Sequence, residues 1–542
     1  MFASKVRSSQ VYPLVLALSS SLMFWLAWPT MPLTFLLFIA YAPLLALEDF
    51  YAQSEKPKAG RKFFWYLYLS FFLSNLLTTW WVYYATSVGM VAMVLANSLL
   101  MCLPWLLFRY TKRAAGAGWG YFGLILYWIT FEYIHLNWDL SWPWLTLGNG
   151  FAMRVSWIQW YEYTGVFGGT LWILLANLAF YFVFFYGDAI FKGIIRWRSL
   201  IYTLIWIMIP MGISLYVYYG YEEQGTPTEV VVLQPNIDPY TEKFVGTVNF
   251  IPFDEQVRRF TGLSESKITP ETDFVVWPET AIDKQINEDA LEIDPIIRQI
   301  KRFKARHPQA AMVTGVTTQI VYRSQADAPP TARRSRNADI YYDVFNTALF
   351  VGNKNESVAY HKSKLVPGVE IMPYPQVLGV ISEVIFDLGG TSGGFGRQKE
   401  RTVFYNSDSI GVAPSVCYES IYGDFMSRFV RNGANLIFII TNDAWWGDSD
   451  GYKQHLHYAS LRAIENRRSI ARSANTGISA FIDQKGDIHK PTEFYTQAVI
   501  KDTILAREDL TFYSKHGDYL ARTAAWLSVF VFLAAFVRKR IV

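Results

Sequence analysis

Long apolar runs fill this chain everywhere except in one stretch of about 300 residues, and that alternation limits the possible folds before any motif is considered. Runs near 11–28, 32–48, 63–85, 90–108, 119–136, 165–187, 200–219 and 519–537 are each about long enough to cross a hydrocarbon core of roughly 30 Å. The interval 220–517 instead carries charges and turn residues throughout, as a water-exposed domain does. Only 17% of the 542 residues are charged, against about 25% in soluble proteins, and the deficit falls in the apolar runs. The pattern predicts a multi-pass α-helical membrane domain of seven helices over 1–219. An α/β domain follows over 220–517, and an eighth helix with a basic tail over 518–542. Lys5 and Arg7 precede the first run, and Ala17 and Ser19 offer a weak cleavage pattern. The apolar character continues past that point, which favours a retained helix over a signal peptide.

Lys and Arg collect at the cytoplasmic ends of membrane helices. Alternate breaks here are basic: Lys5 and Arg7; Lys56, Lys58, Arg61 and Lys62; Arg109, Lys112 and Arg113; Lys192, Arg196 and Arg198; then Arg538, Lys539 and Arg540. The intervening breaks near Pro29, Ser87 and Asn149 carry almost none, Arg154 excepted. This predicts cytoplasmic termini and an extracytoplasmic 220–517 domain. The break at 137–164 is rich in aromatics, among them Trp138, Trp142, Trp144, Trp160 and Tyr161. It reads as an interfacial belt; the alternative is a wall of a lipid-entry site. A net charge of +4 leaves no basic footprint for nucleic acid.

Within 220–517, strands are expected at 229–234, 273–277, 311–317, 347–351, 409–416, 436–442 and 479–483. Helices are expected at 253–266, 295–305, 420–432 and 452–473, which makes a layered α/β domain. Residues 322–340 read as an exposed loop.

Cys102 and Cys417 are the only cysteines, so there is no disulfide framework. Cys102 lies in an apolar run and reads as a small buried hydrophobe. Cys417 ends an apolar stretch and precedes a predicted helix. Backbone N–H groups at a helix start favour a thiolate and hold an oxyanion; the competing reading is a buried structural thiol. Glu279 follows Trp277 and Pro278 beyond a strand end, where a carboxylate shielded by the indole would serve as a general base; the alternative is an exposed turn residue. Lys362 and Lys364 share one face of an extended segment, either as an oxyanion-stabilising cation or as a solvated edge. Glu370 is a further carboxylate. A Cys–His dyad using His361, His455 or His457 is the rival scheme. The Gly-rich stretch Gly389–Gly396 lacks the Gly-Lys-Ser/Thr of a phosphate loop and reads as part of a flap over about 371–400. The histidine spacing predicts no metal site, and no cofactor is expected.

Several segments resemble the nitrilase (carbon–nitrogen hydrolase) superfamily, and within it the apolipoprotein N-acyltransferases. They are Val275-Val276-Trp277-Pro278-Glu279, Tyr360-His361-Lys362 through Leu365-Val366-Pro367, Ser415-Val416-Cys417-Tyr418-Glu419, Thr441 through Gly447, Arg472 through Gly477, and Leu233 through Ile237. The resemblance implies an αββα nitrilase-like domain inserted before the last of eight spans. It implies a Glu279–Lys362–Cys417 triad and selects Lys362 over Lys364. It also marks Glu370, Tyr418 and Glu419 as supporting residues. The family usually reads Leu-Val-Pro-Phe-Gly-Glu where this chain has Leu365-Val366-Pro367-Gly368-Val369-Glu370, and often has Trp at the place of Phe244.

The activity so implied is ping-pong transfer of an acyl chain from a phospholipid, through a Cys417 thioester, to the amine of a diacylglyceryl-cysteine lipoprotein. The expected setting is the bacterial inner membrane, with the catalytic domain on the periplasmic side and the protein a monomer. Two rivals stand beside it. One is a membrane-tethered amidase or nitrilase acting on a small amide. The other is a transporter with an inactive domain, for which Glu132 and His135 are the ionisable candidates within the spans.

Overall fold

The computed structural model describes residues 11–54, 57–189, 196–335, 339–374 and 394–541. The chain forms two compact units. One is built from the residues up to Tyr83, Ser87–Gly220 and Asp518 onward; the other combines Tyr84–Thr86 with Tyr221–Gly517.

The first unit is helical: α1 (Tyr12–Ala27), α2 (Ala42–Ala52), α3 (Ala59–Thr79), α4 (Ser87–Ala115), α5 (Ala117–Leu136), α6 (Val166–Phe184), α7 (Trp197–Gly220) and the C-terminal helix Tyr519–Ile541. Among the described residues, five stretches are long and apolar enough to cross a membrane: Thr34–Ala52, α4, α6, α7 and the C-terminal helix. The second apolar run is not one continuous α-helix. A 3-10 segment, Thr34–Phe38, precedes α2. The third run breaks after Thr79 and resumes as the short helix Val82–Ala85. On α7 most large apolar side chains are exposed, including Ile201, Trp206, Ile209 and Ile213. Such a surface requires an apolar surrounding.

The two ionisable candidates within this unit, Glu132 and His135, are both hydrogen-bonded. Glu132 accepts hydrogen bonds from the Trp128 indole (2.9 Å), the Leu147 N–H (2.8 Å) and the Thr170 hydroxyl (2.7 Å). His135 pairs with Asn97 and Trp138. These residues tie α5 to the 137–164 segment and leave the transporter reading without support. That segment folds into short 3-10 turns, and Trp144 and Tyr161 are buried inside the unit. The expectation of an interfacial belt fails for those two. Tyr161 instead donates to the Gly148 carbonyl at 2.8 Å.

The second unit stacks two sheets between helices. The strands of the first are β1 (Thr226–Gln234), β2 (Thr272–Val276), β3 (Ile282–Asn287), β4 (Ala311–Tyr322), β5 (Arg333–Arg334), β6 (Tyr341–Val351) and β7 (Ser357–His361). The second sheet contains β8 (Phe404–Tyr405), β9 (Gly411–Val416), β10 (Leu436–Thr441), β11 (Ile470–Ala474), β12 (Ala480–Ile482) and β13 (Ile488–His489). β14 (Ala498–Ala506) returns to pair with β1, giving the order β14-β1-β2-β4-β6-β5, with β3 on β4 and β7 on β6. The second sheet runs β13-β12-β11-β10-β9-β8. The central strands β9 and β10 are parallel and buried along their whole length, which explains their unbroken apolar runs.

Helices α8 (Phe253–Glu265) and α9 (Pro295–Arg306) cover the outer face of the first sheet. Val257, Phe260, Ile297, Ile300 and Phe303 pack there against Val231, Val275 and Met312. Asp294 caps α9 by accepting from the Ile296 and Ile297 N–H groups, ahead of Pro295 at the first helical position. The inner faces of the two sheets meet, with the rings of Phe274 and Phe438 edge to face at 5.2 Å. α10 (Gly423–Arg431) and α11 (Asp450–Asn466) pack against the second sheet, completing the expected αββα arrangement.

Two predicted boundaries need correction, and one long strand was missed. The predicted helix 420–432 is a 3-10 turn, Cys417–Ile421, followed by α10. The predicted helix 452–473 ends at Asn466, where Arg467 takes a left-handed conformation (φ 47°), and its last residues become β11. β14 was not expected at all. Most of the expected flap, residues 375–393, lies outside the described residues.

Candidate active site

Parallel strands carry their C-terminal ends to one edge of a sheet, and three residues of the site sit at such ends. The candidates are Glu279 after β2 and Cys417 after β9; Asn442, which the sequence did not single out, stands third, after β10. Lys362 follows β7, which is antiparallel to β6 and ends beside Asn346 and Thr347.

Glu279 is buried, with about 5% of its surface exposed, so the exposed-turn reading is wrong. Its Oε1 accepts from Lys362 Nζ (3.1 Å) and Asn346 Nδ2 (2.8 Å), and its Oε2 accepts from the Asn442 N–H (3.0 Å). Trp277 does not shield it. The indole points into the helix-covered core beside Phe260 and Phe303, and donates to Ser264. Lys362 is buried too, and also donates to Glu370 Oε1 at 2.7 Å. Burial pushes its ammonium pKa down, but Glu279 and Glu370 outweigh that and hold it well above the lysine range. Lys362 therefore stays charged. Glu370 is anchored by the Val366 N–H at its Oε2 (2.8 Å).

Cys417 is buried and adopts a left-handed backbone (φ 51°), uncommon for a residue with a side chain. Its thiol lies in the same electrostatic cluster as Glu279, Lys362 and Asp443. Burial, then the Glu279 charge, push the thiol pKa up, while Lys362 opposes both. The balance favours the neutral thiol over the thiolate that a helix start alone would favour.

The histidines are not placed as a proton acceptor for the thiol. His455 Nε2 lies 3.2 Å from the Cys417 carbonyl oxygen and 3.0 Å from Ser420 Oγ. It grips the backbone of the cysteine. His361 is engaged by Glu288 at 2.6 Å and stacks on Phe345. His457, held near 4 by burial, makes no hydrogen bond to the cysteine among the described residues.

Glu419 joins the segments. Its Oε2 accepts from the Val416 N–H (2.9 Å), and its Oε1 from the Tyr360 hydroxyl (2.8 Å) and the N–H groups of Ser363 (2.6 Å) and Lys364 (3.2 Å). It clamps the lysine segment to the cysteine turn. Tyr418 is buried, its ring 5.4 Å from that of Tyr422. Lys364 lies apart from Glu279, its ammonium 4.6 Å from the Tyr422 ring centroid. Burial, then Arg401 and Arg428, bring it down to about 8.

Several neighbours had no assigned role in the sequence. Beneath the cysteine, Asp443 accepts from Thr441 Oγ1 (2.8 Å) and Arg472 Nη2 (2.7 Å). Burial raises its carboxyl, but Arg472 and His455 outweigh this and hold it at about 2. Asn346 bridges Glu279 and, at 3.5 Å, Glu370. Lys243 is buried and donates to the Glu279 carbonyl (3.3 Å) and Thr280 Oγ1 (3.1 Å).

Burial lowers the Lys243 ammonium from 10.5 to about 8. Between those values the unfolded chain holds a proton that the folded protein has released. Stability tied to this side chain must therefore rise with pH across that window, by at most about 3 kcal/mol. Relative to Lys243→Met, the wild type should gain apparent melting temperature from pH 7 to pH 10. A gap that stays constant would contradict the assignment.

Residues 20–179 match the family described as the apolipoprotein N-acyltransferase N-terminal domain, and residues 254–506 match the carbon–nitrogen hydrolase family. With the layered fold, these matches define a membrane enzyme of the carbon–nitrogen hydrolase superfamily. An apolipoprotein N-acyltransferase of Chlorobaculum tepidum is 29% identical over 539 residues, covering 97% of each chain. One from Geobacter metallireducens is 26% identical over 548 residues, covering 97% of this chain and 96% of its own. Among solved structures, a nitrilase-superfamily amidase of Nesterenkonia AN1 has a TM-score of 0.37 and 12% identity, over 56% of this chain and 99% of the amidase. The chain belongs to the apolipoprotein N-acyltransferase family.

Proposed function

We propose that this protein transfers a fatty acyl chain from a phospholipid to the N-terminal amine of a diacylglyceryl-cysteine lipoprotein, with Cys417 as the covalent carrier. The observation that supports it most is the buried Glu279–Lys362–Cys417 cluster, in which a neutral thiol, a carboxylate and a fixed ammonium share one water-poor site. Glu279 takes the thiol proton as sulfur attacks the ester carbonyl. Lys362 faces the negative charge that develops on the carbonyl oxygen. The ester C–O bond breaks, Glu279 protonates the leaving alkoxide, and a lysophospholipid departs. The lipoprotein amine then attacks the thioester and gives its proton to Glu279. The C–S bond breaks, sulfur recovers the proton, and an amide remains. Glu370, Asn346, Tyr418 and Glu419 position these groups. We place the enzyme in the bacterial inner membrane with 220–517 on the periplasmic side, following the alternation of basic breaks. Burial of the thiol suits a thioester that must wait for its acceptor without meeting water.

Intact mass measurement after incubation with phospholipid tests this reading. The wild type is expected to gain one acyl mass that hydroxylamine removes, and Cys417→Ser to gain no thioester. An equal hydroxylamine-labile adduct on both proteins would reject Cys417 as the carrier. Rapid hydrolysis of small amides without any such adduct would favour the tethered-amidase reading.

A further inference from the structure

A cavity of about 400 Å³ opens in the membrane unit between α4 and the C-terminal helix, lined by Leu106, Arg109, Tyr110, Arg113, Ala114 and Lys539. It shares no residue with the candidate active site. Three of its six lining side chains are cationic and none is acidic. The acidic groups close to Arg109 and Lys112 are already engaged. Glu48 takes Arg109 at 3.3 Å and Lys112 at 2.5 Å, and Asp49 lies 3.8 Å from Lys112. Arg113 and Lys539 have no ion pair among the described residues. Lys539 is instead held with its ammonium 4.8 Å from the Tyr110 ring centroid, on the cavity wall. The carbonyl end of α4, which would repel an anion, is partly countered by Arg538, which donates to the Ala115 oxygen at 3.4 Å.

The site also has an apolar approach. Leu99, Leu103, Leu106 and Tyr110 follow at spacings of three and four, so they form one stripe on α4. Leu99 and Leu103 are about half exposed, and the stripe leads to Arg113 and the cavity. Uncompensated cations at the end of an exposed apolar stripe fit an amphiphile with a phosphate head and acyl tails. A free phosphate ion would use only the head of the site. We infer that this cavity binds the head group of an anionic phospholipid, with the tails lying along the α4 stripe. Basic pockets between membrane helices bind such head groups by the same physics.

The test is native mass spectrometry of the full-length protein with dialkyl-ether phosphatidylglycerol, which has no ester to donate. Dialkyl-ether phosphatidylcholine and inorganic phosphate serve as competing probes. Wild type should retain the ether phosphatidylglycerol on the order of tenfold better than Arg113→Gln/Lys539→Gln. The charge-keeping pair Arg113→Lys/Lys539→Arg should retain most of it, and phosphatidylcholine should not distinguish the three proteins. The single Gln variants, expected to show intermediate loss, provide the reading if the double variant does not fold. Equal retention of phosphatidylglycerol by wild type and the Gln variants would overturn the proposal. So would displacement of the lipid by millimolar inorganic phosphate, which would mark an ion site instead.

Discussion

Lys362→Met is expected to abolish acyl-enzyme formation, lowering its rate on the order of a thousandfold or more. Removing one oxyanion-stabilising donor typically costs a factor of about 10² to 10³. Lys362 does more than that, because its ammonium bonds both Glu279 (3.1 Å) and Glu370 (2.7 Å). Without it, buried Glu279 and half-buried Glu370 share Asn346 with no cation between them, and breaking a buried pair costs about 3–5 kcal/mol. Lys364→Ala, two residues away, should keep acylation within a few-fold of wild type, since its ammonium faces the Tyr422 ring and not the carboxylates. Single-turnover acylation, followed by intact mass for both variants, measures the contrast. Loss in Lys364→Ala with retention in Lys362→Met would mean the wrong ammonium has been assigned.

Glu279→Gln should slow both half-reactions, by about 10² to 10⁴ each. The thiol is neutral at rest because burial and the Glu279 charge raise its pKa. Replacing the carboxylate with an amide removes one of those two causes, but it also removes the acceptor. The two effects oppose, and the loss of the acceptor dominates, since burial is the larger cause and persists. The second half-reaction has no such offset. The incoming amine must lose a proton, and Gln cannot take it. Pre-formed acyl-enzyme, mixed with a lipoprotein-like amine, isolates that step. Normal amide formation in Glu279→Gln would transfer the base role elsewhere.

The architecture was readable because both of its periodicities were clean. Apolar runs of membrane length stood apart from a segment of ordinary charge, and β9 and β10 carried the unbroken apolar stretches of buried parallel strands. Glu279 and Cys417 stood out because each follows such a stretch. What stayed hidden depends on contacts between distant segments. Asn346 sits inside β6 with nothing in its neighbourhood to separate it from any other strand residue. The run from Tyr452 to Ser473 keeps a helical composition to its end. Only Arg467 in a left-handed turn, and the pairing of β11 with β10, convert its tail into a strand. Trp277 was expected to cover Glu279, but Pro278 interrupts the strand between them, and the indole belongs to the opposite core.

The left-handed Cys417 is held through its own carbonyl oxygen, which Ser420 and His455 approach at 2.8 Å and 3.2 Å. Nothing in that grip involves sulfur, so loading the side chain with a fatty acid leaves every strand of the tether intact. Under the proposed mechanism, a carrier fastened in this way would present its cargo to the second reactant from the spot where it collected it, and a single base would serve both visitors.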